Sequence, residues 1–277
     1  MAKLDQDNRA KFWVDPHLGG VSLLRAAFRT LSFAPHVHNE LVIAVTERGA
    51  GRCLTRGVAD VGTPRTIMVF NPGEPHSGGV AGEAGWYYRG LYVSRQVLAQ
   101  LCASIEARPG AVPYFRSSVL DDGELADLLV QAHVALEDGE PRIAAETHFL
   151  SAVAALFARH GDPRPRLPAV GREKSPVARA VEYMRENFDC DLAVADLADR
   201  AALSPFHFVR SFRKVTGLPP HAYLTQLRLN RARRLLAEEK APTDVALAVG
   251  FYDQSHLIKH FKRAYGITPG QYAAALH

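Results

Sequence analysis

The chain has 277 residues, of which 47% are hydrophobic and 22% charged, and its formal net charge is +4. This balance excludes a wholly disordered chain, and the length excludes a single small module because it suffices for two domains with separate cores. No stretch reaches the roughly 20 apolar residues of a membrane span, and residues 1–15 lack the apolar segment of a secretory signal. We therefore expect a cytoplasmic protein.

The first predicted region, residues 18–92, consists of short β-prone runs. Residues 40–46 and 66–70 are examples, and Gly-Gly and Asn-Pro-Gly turns separate such runs. Many short strands at close spacing are typical of a barrel or a sandwich. The sequence therefore predicts a β-domain at the N-terminal end of the chain.

Helical periodicity replaces this pattern at residues 94–104, 121–137 and 141–160. The second and third of these segments each carry an apolar stripe. The stripes consist of Leu125, Leu128, Leu129, Ala132 and Leu136 in one and of Ile143, Phe149, Leu150, Val153 and Leu156 in the other. Two interpretations follow: the stripes cover the β-domain, or they form a helical hairpin at a dimer interface.

Three prolines among Gly and Arg residues at 161–171 predict an interdomain linker, which gives domains at 1–160 and 172–277. The second domain holds 16 Lys and Arg against 11 Asp and Glu, whereas the residues before it hold 17 against 18. This basic excess favours a polyanionic partner for the second domain. From residue 175 onward, regular breaks in the helical pattern predict seven helices.

A helix-turn-helix pattern begins in this domain with a short apolar-periodic helix at 192–202 and a tight turn. Ser204 is a good N-cap for the next helix, and Pro205 suits its first turn. Phe208 and Phe212 lie one turn apart and are expected in the core. The outer face would then present Phe206, Val209, Arg210, Arg213 and Lys214.

The same pattern recurs later in the chain, with a short helix at 243–249, a turn at 250–251 and a second helix at 253–265. Leu257 and Phe261 repeat the buried pair, and FRKVTG in the first unit parallels FKRAYG in the second. An internal repeat of this kind is rare in a chance helical bundle. The outer residues of the second unit are Gln254, Ser255, His256, Lys259, Lys262 and Arg263.

The stretch VALAVGFYDQSHL at 245–257, with FKR at 261–263 and GITPGQY at 266–272, closely resembles the signature of AraC/XylS transcription regulators. The resemblance implies sequence-specific binding to double-stranded DNA through two reading helices. It assigns base-edge contacts to Phe206, Val209 and Arg210 in the first helix and to Gln254, Ser255, His256 and Lys259 in the second.

The chemistry of these side chains agrees with such roles. Arg210 and Lys259 can donate to guanine, and Gln254 can read adenine. The apolar Val209 offers no hydrogen bond, so the first helix would read less sequence. Phosphate contacts, which give affinity without sequence choice, are expected from Arg213, Lys214, Lys262 and Arg263.

In the N-terminal domain, PHVHNE at 35–40 and NPGEPH at 71–76 resemble the β-barrel of cupins, which AraC-like regulators use to sense ligands. The two resemblances together imply an α+β protein with two domains. A cupin-like β-barrel with a helical hairpin would be followed by an all-α domain with two helix-turn-helix units. Metal-binding cupins use an HxH pair, a glutamate and a later histidine. His36, His38 and His76 match that set, but the glutamate position falls near Ile43.

These histidines allow three interpretations: hydrogen bonds to an organic effector, a structural role at the barrel mouth, or ligation of a transition metal. We favour the effector over the metal and expect no cofactor. The aromatic run at 86–92 adds side chains that would orient a carboxylate ligand. The candidate effector residues are His36, His38, Glu40, His76, Trp86, Tyr88 and Arg89.

The sequence thus favours an effector-responsive activator that acts as a homodimer, recruits RNA polymerase and carries no catalytic residues. Repression by the same family of proteins is the nearer alternative. A metal-dependent cupin enzyme with a DNA-binding tail is a second alternative, which the missing glutamate disfavours. A helical interaction module that does not bind DNA is the third.

Overall fold

The computed structural model describes residues 7–15, 17–104, 113–162, 174–238, 240–265 and 267–274. The chain divides into two compact units, which are Met1–Glu140 with His148–Pro168, and Pro141–Thr147 with Ala169–His277. Apart from Gly161 and Asp162, the predicted linker lies outside the described residues. Within the described ranges, no helix is both long and apolar enough to cross a membrane.

The first unit contains two antiparallel sheets. The strands of the larger one are β1 Asn8–Val14, β2 Val21–Phe28, β4 Leu41–Gly49, β7 Ile67–Phe70, β9 Trp86–Val93 and β10 Val119–Leu120, in the order β1-β2-β9-β4-β7-β10. The strands of the smaller one are β3 Ser32–His36, β5 Gly51–Thr55, β6 Val58–Gly62 and β8 His76–Val80, in the order β3-β8-β5-β6. The predicted β-domain is therefore confirmed.

Burial along the strands explains which of them the sequence revealed. β7 is an apolar run that is buried throughout, β4 is buried from Leu41 to Thr46 and then exposed at Glu47 and Arg48, and β2 is buried or half-buried except at Arg25. β1 was not predicted, because Asn8–Val14 is a mostly exposed edge strand that carries Arg9 and Lys11. One cluster of buried side chains lies between the sheets and includes Phe28, Val42, Ala44, Phe70, Trp86 and Tyr88.

Helix α1 Arg95–Ser104 lies between β9 and β10, and helices α2 Gly123–Glu137 and α3 Arg142–His160 come after β10. Asp122 caps α2 by accepting a 3.0 Å hydrogen bond from the amide of Leu125. The predicted stripes on α2 and α3 are buried within the chain, apart from the half-buried Leu128. Because these stripes are already covered, they leave no exposed apolar seam, and a dimer would have to use other faces.

The second unit contains the seven predicted helices. They are α4 Lys174–Glu186, α5 Val194–Ala201, α6 Pro205–Thr216, α7 Pro220–Ala237, α8 Pro242–Ala248, α9 Gln254–Tyr265 and α10 Pro269–Ala274. α6 packs against α4, α5 and α7, and α9 packs against α7, α8 and α10. Leu257 and Phe261 of α9 are fully buried, as are Phe208 and Phe212 of α6, so the repeated core pair is confirmed.

Candidate nucleic-acid interface and effector cavity

The turn into α6 has the geometry that its sequence predicts. Ala202 adopts a left-handed conformation with φ 53° and ends α5, and the Ser204 side chain then accepts a 3.4 Å hydrogen bond from the amide of His207. Pro205 occupies the first turn, where its missing N–H costs no helical hydrogen bond. Helix, tight turn and capped helix therefore form the first helix-turn-helix unit.

The structure corrects the predicted outer face of α6. Phe206 is 2% exposed and Val209 is 6% exposed, so neither presents a surface to a base edge. The expectation assumed a narrow apolar stripe, but α6 contacts three helices and buries a wider face. Arg213 and Lys214 are exposed and Arg210 is half-buried. These three side chains are the cations that α6 presents.

α9 is capped by Asp253, whose carboxylate accepts a 2.7 Å hydrogen bond from the amide of His256. Gln254, Ser255 and Lys259 are exposed, and His256 is half-buried. The imidazole of His256 lies edge-on to Phe251 at 5.3 Å, and its Nε2 atom is 2.9 Å from Nε2 of His260. Lys262 and Arg263 near the end of the helix are exposed as well, so the predicted outer face is present.

The two reading helices share a charge pattern. α6 carries Arg210, Arg213 and Lys214 without an acidic residue, and α9 carries three basic residues, also without an acidic one. By contrast, Asp196 and Asp199 lie on the preceding helix α5. A helix with cations and no carboxylates attracts phosphates without repelling them, which suits contact with a nucleic-acid backbone.

Arg228 on α7 has a role that sequence reasoning missed. Its side chain is 4% exposed, and it donates hydrogen bonds of 2.7 Å to the Phe188 carbonyl and 2.8 Å to the Cys190 carbonyl. Burial lowers the pKa of the Arg228 guanidinium. An arginine inside a run of four on one helix gave no signal that it differs from its neighbours.

The first unit holds a partly open cavity of about 400 Å³ between its two sheets. Its wall is mainly apolar and aromatic, which is typical of sites for small organic molecules. The lining includes Leu24, Phe28, Phe33, Val42, Ala44, Arg52, Phe70, Trp86, Tyr88 and Tyr92, together with His36, His38 and His76. Of the seven candidate effector residues, His36, His38, His76, Trp86 and Tyr88 therefore line one cavity.

Two tyrosines give this cavity hydrogen-bond donors. Burial raises the pKa of Tyr88, and burial together with the charge of Glu40 raises the pKa of Tyr92 to about 12. Both phenols are therefore protonated at neutral pH and can donate to a ligand. The stacked rings of Trp86 and Tyr88, with centroids 4.1 Å apart, provide a flat apolar wall.

The structure does not bring Arg89 to this cavity, so that prediction is wrong. Side chains alternate along β9, and Arg89 lies on the face opposite Tyr88. There the guanidinium pairs with Glu137 and with Glu47, at 2.9 Å for the latter, and donates a 3.0 Å hydrogen bond to His133. Arg89 is thus committed to a buried network that joins β9 to α2.

Glu40 also does not line the cavity. Glu40 lies in a bend before β4. Its charge favours a higher pKa for His38 and for Tyr92, but the residue itself is not part of the cavity wall. Arg52 on β5 is a lining residue that the sequence did not reveal, because alternating burial in a short strand gave no sign of which face lies inward. Its neighbour Cys53 is 4% exposed whereas Arg52 is exposed, so the alternation of β5 directs the Cys53 side chain inward and the Arg52 guanidinium outward.

Two family models match the chain and together cover both units. The model of the AraC-like ligand binding domain matches residues 18–153, and a helix-turn-helix domain model matches residues 197–275. The first match contains the cavity, and the second contains α6 and α9.

Known transcription regulators are similar in sequence to this chain. The HTH-type transcriptional regulator YbfI of Bacillus subtilis is 29% identical over 91% of this chain and 90% of its own length. The arabinose operon regulatory protein of Escherichia coli is 25% identical over 84% of this chain and 80% of its own length. Among solved structures, an AraC-type regulator from Chromobacterium violaceum is 31% identical over 37% of this chain and 93% of that chain, with a TM-score of 0.36.

Proposed function

The chain belongs to the AraC family of DNA-binding transcription regulators, and from this premise we propose that it is an activator controlled by a small organic effector. The observation that carries the proposal is the pair of capped helices, α6 and α9, which each present three basic residues and no acidic one. Such helices fit the major groove, where cations contact phosphates and polar side chains contact base edges.

The polar side chains that remain on the outer faces of the two helices would contact the base edges. Arg210 of α6 and Lys259 of α9 are suited to guanine, and Gln254 is suited to adenine. With Phe206 and Val209 buried, α6 retains only Arg210 from the predicted base-reading set. We therefore propose that α9 reads more of the operator sequence than α6. Phosphate contacts would come from Arg213, Lys214, Lys262 and Arg263.

The proposed effector is a small molecule with an apolar or aromatic body and one anionic or polar end. The stacked Trp86 and Tyr88 would contact the body, and the histidines would contact the polar end. We propose that the cavity binds the effector without catalysis.

Three further elements of the proposal concern partners and location. Regulators of operons bind paired DNA half-sites as dimers, so we propose a homodimer on DNA. Activation implies a contact with RNA polymerase, and access to chromosomal DNA implies a cytoplasmic protein. Effector binding would shift the population of the DNA-binding units toward an arrangement that engages the promoter.

The test begins with selection of binding sites by the full-length protein from sheared genomic DNA of its source. The enriched site is then footprinted at two salt concentrations, with and without candidate carboxylate effectors. These candidates are the substrates of the enzymes that the adjacent operon encodes. We expect protection of major-groove segments one helical turn apart, beside a promoter, and transcription in vitro that rises with effector. Binding that is equal on all sequences and falls steeply with salt would contradict the proposal.

A further inference from the structure

Three histidines converge at one end of the cavity in the first unit. His36 ends β3 and His76 begins β8, and the two residues are direct partners across these antiparallel strands. His38 follows two residues after His36. One ring nitrogen from each of the three histidines can be chosen so that all three nitrogens lie within 4.8 Å of one another.

Backbone hydrogen bonds fix the tautomers of two of these rings. Nδ1 of His36 is 2.7 Å from the carbonyl oxygen of Ala34, and Nδ1 of His76 is 2.9 Å from the carbonyl oxygen of Glu74. Because a carbonyl oxygen only accepts, each Nδ1 carries the hydrogen and each Nε2 keeps a lone pair. A histidine held by its second nitrogen in this way is the usual arrangement of a metal ligand.

Packing holds the three rings in place without a bound partner. His76 stacks on Phe70 with parallel planes and centroids 4.0 Å apart, and His38 lies edge-on to Tyr92 at 5.4 Å.

We propose that His36, His38 and His76 bind one divalent first-row transition metal ion, for which zinc is the probe, at the polar end of the cavity. Three imidazole nitrogens are a sufficient protein ligand set for such an ion. Nitrogens bound tetrahedrally at about 2.0–2.1 Å lie roughly 3.3 Å apart, so side-chain rotations would have to close the widest pair by about 1.5 Å. The missing glutamate leaves a coordination position open.

That open position would face the aromatic cavity, since all three histidines line it. A carboxylate or phenolate of the effector would complete the coordination. This part of the inference rests on the proposed function, because it requires that the cavity receive an effector. Metal binding itself does not depend on the DNA-binding role.

The test is a zinc titration by calorimetry of the full-length protein after removal of metals with a chelator, followed by cobalt(II) absorption spectra. We expect one ion per chain and a tetrahedral cobalt spectrum. His36→Gln and His38→Gln, checked for folding by near-ultraviolet circular dichroism, should each weaken binding at least about 100-fold. The matched control is His17→Gln, an exposed histidine of the same unit.

His260→Ala serves as a second control, because Nε2 of His260 lies 2.9 Å from Nε2 of His256 on α9 and this pair could hold zinc weakly. The proposal is overturned if the wild-type protein binds no zinc, or if His260→Ala abolishes binding while His36→Gln does not. Zinc binding that persists in a protein without operator specificity would leave the metal site standing and refute the proposed function. An effector response that survives full metal removal would leave the proposed function standing and refute coordination of the effector by the metal.

Discussion

Nε of Arg228, on α7, donates a 2.7 Å hydrogen bond to the carbonyl oxygen of Phe188, in the segment after α4. The same guanidinium donates to the Cys190 carbonyl and lies 6.0 Å from the ring of Phe251, which follows α8. α7 packs against helices of both helix-turn-helix units. One buried cation therefore fixes the segment before the first unit and contacts the turn of the second.

Arg228→Gln should destabilise the second unit by about 2–4 kcal/mol, because it removes a buried guanidinium and leaves the Phe188 and Cys190 carbonyl oxygens without their charged donor. Hydrogen exchange of peptides from α4 and α7 would report the change, as faster exchange. Arg231→Gln, an exposed position on the same helix, is the control and should change stability by less than about 0.5 kcal/mol. Equal effects of both variants would contradict a structural role for Arg228.

Gly250 and Gly217 form a matched pair, since both have φ near +80° but only one is crowded. A Cβ at position 250 would lie 2.6 Å from the backbone oxygen of Asp189, whereas one at position 217 would meet nothing within 4 Å. We expect Gly217→Ala to cost about 1–2 kcal/mol and Gly250→Ala about 3 kcal/mol or more. Thermal unfolding followed at 222 nm would compare them, and a smaller cost at position 250 would contradict the close approach.

Arg210→Ala and Lys259→Ala should each cost about 1–3 kcal/mol on the selected operator and much less on random DNA. Lys262→Ala should weaken binding to both DNAs alike. It should also reduce the number of counterions released on binding, which sets the salt dependence, by about one. Lys240→Ala, an exposed lysine outside α6 and α9, is the control. Fluorescence anisotropy at two salt concentrations measures all of them, and equal losses on both DNAs for Arg210→Ala would refute its base-reading role.

Filling the cavity should uncouple effector binding from DNA binding. Ala44 on β4 is buried in the cavity wall, so Ala44→Leu should weaken effector affinity at least about tenfold while operator affinity without effector stays unchanged. Ala59→Leu on the exposed strand β6 is the control. Calorimetry with the effector identified from the operon measures the change. An unaltered effector affinity in Ala44→Leu would place the effector elsewhere.

The network around His133 makes the first unit sensitive to acid. Nδ1 of His133 accepts from Arg89 and Nε2 lies 3.2 Å from the carbonyl oxygen of Leu24, which fixes a neutral ring. Burial and the Arg89 charge lower the pKa of His133 to about 4. Hydrogen bonding to Arg89 is the main cause that lowers the pKa of Glu137 to about 2, against the opposing effect of burial.

A histidine with a lowered pKa contributes stability that is complete above its unfolded pKa of 6.5 and is lost as the pH falls toward 4. Between pH 6.5 and 5 the free energy of unfolding should change less steeply with pH in His133→Gln than in the wild-type protein. The difference in slope should reach up to about 1.4 kcal/mol per pH unit. Glu137 stays ionised in the folded protein throughout this window, so it adds slope only near pH 5, where the same carboxyl in the unfolded chain begins to bind a proton.

Urea unfolding followed by tryptophan fluorescence measures this difference, since both tryptophans, Trp13 and Trp86, lie in the first unit. Trp13 also packs edge-on against His133 at 5.3 Å. His17→Gln is the control and should keep the wild-type slope. Identical slopes in wild type and His133→Gln would show that His133 is not buried in its neutral form.

Local chemistry in the sequence determined the positions of the strands and helices and the repeat of the helix-turn-helix pattern. Turn residues separate the strands, Ser204 caps α6 where it was expected to, and the spacing of Phe208 with Phe212 and of Leu257 with Phe261 identified the buried face of each reading helix. These features depend on residues within a few positions of one another, so that a single sequence suffices to reveal them.

Only the tertiary structure decided how wide each buried face is and which side of a strand meets the cavity. Phe206 and Val209 are buried because α6 packs against three helices. Arg89 contacts a buried network because side chains alternate in direction along β9, and Tyr88 is directed into the cavity. The convergence of His36 with His76 depends on strand pairing across 39 intervening positions. Such contacts are set by packing between distant segments, which periodicity along the chain does not encode.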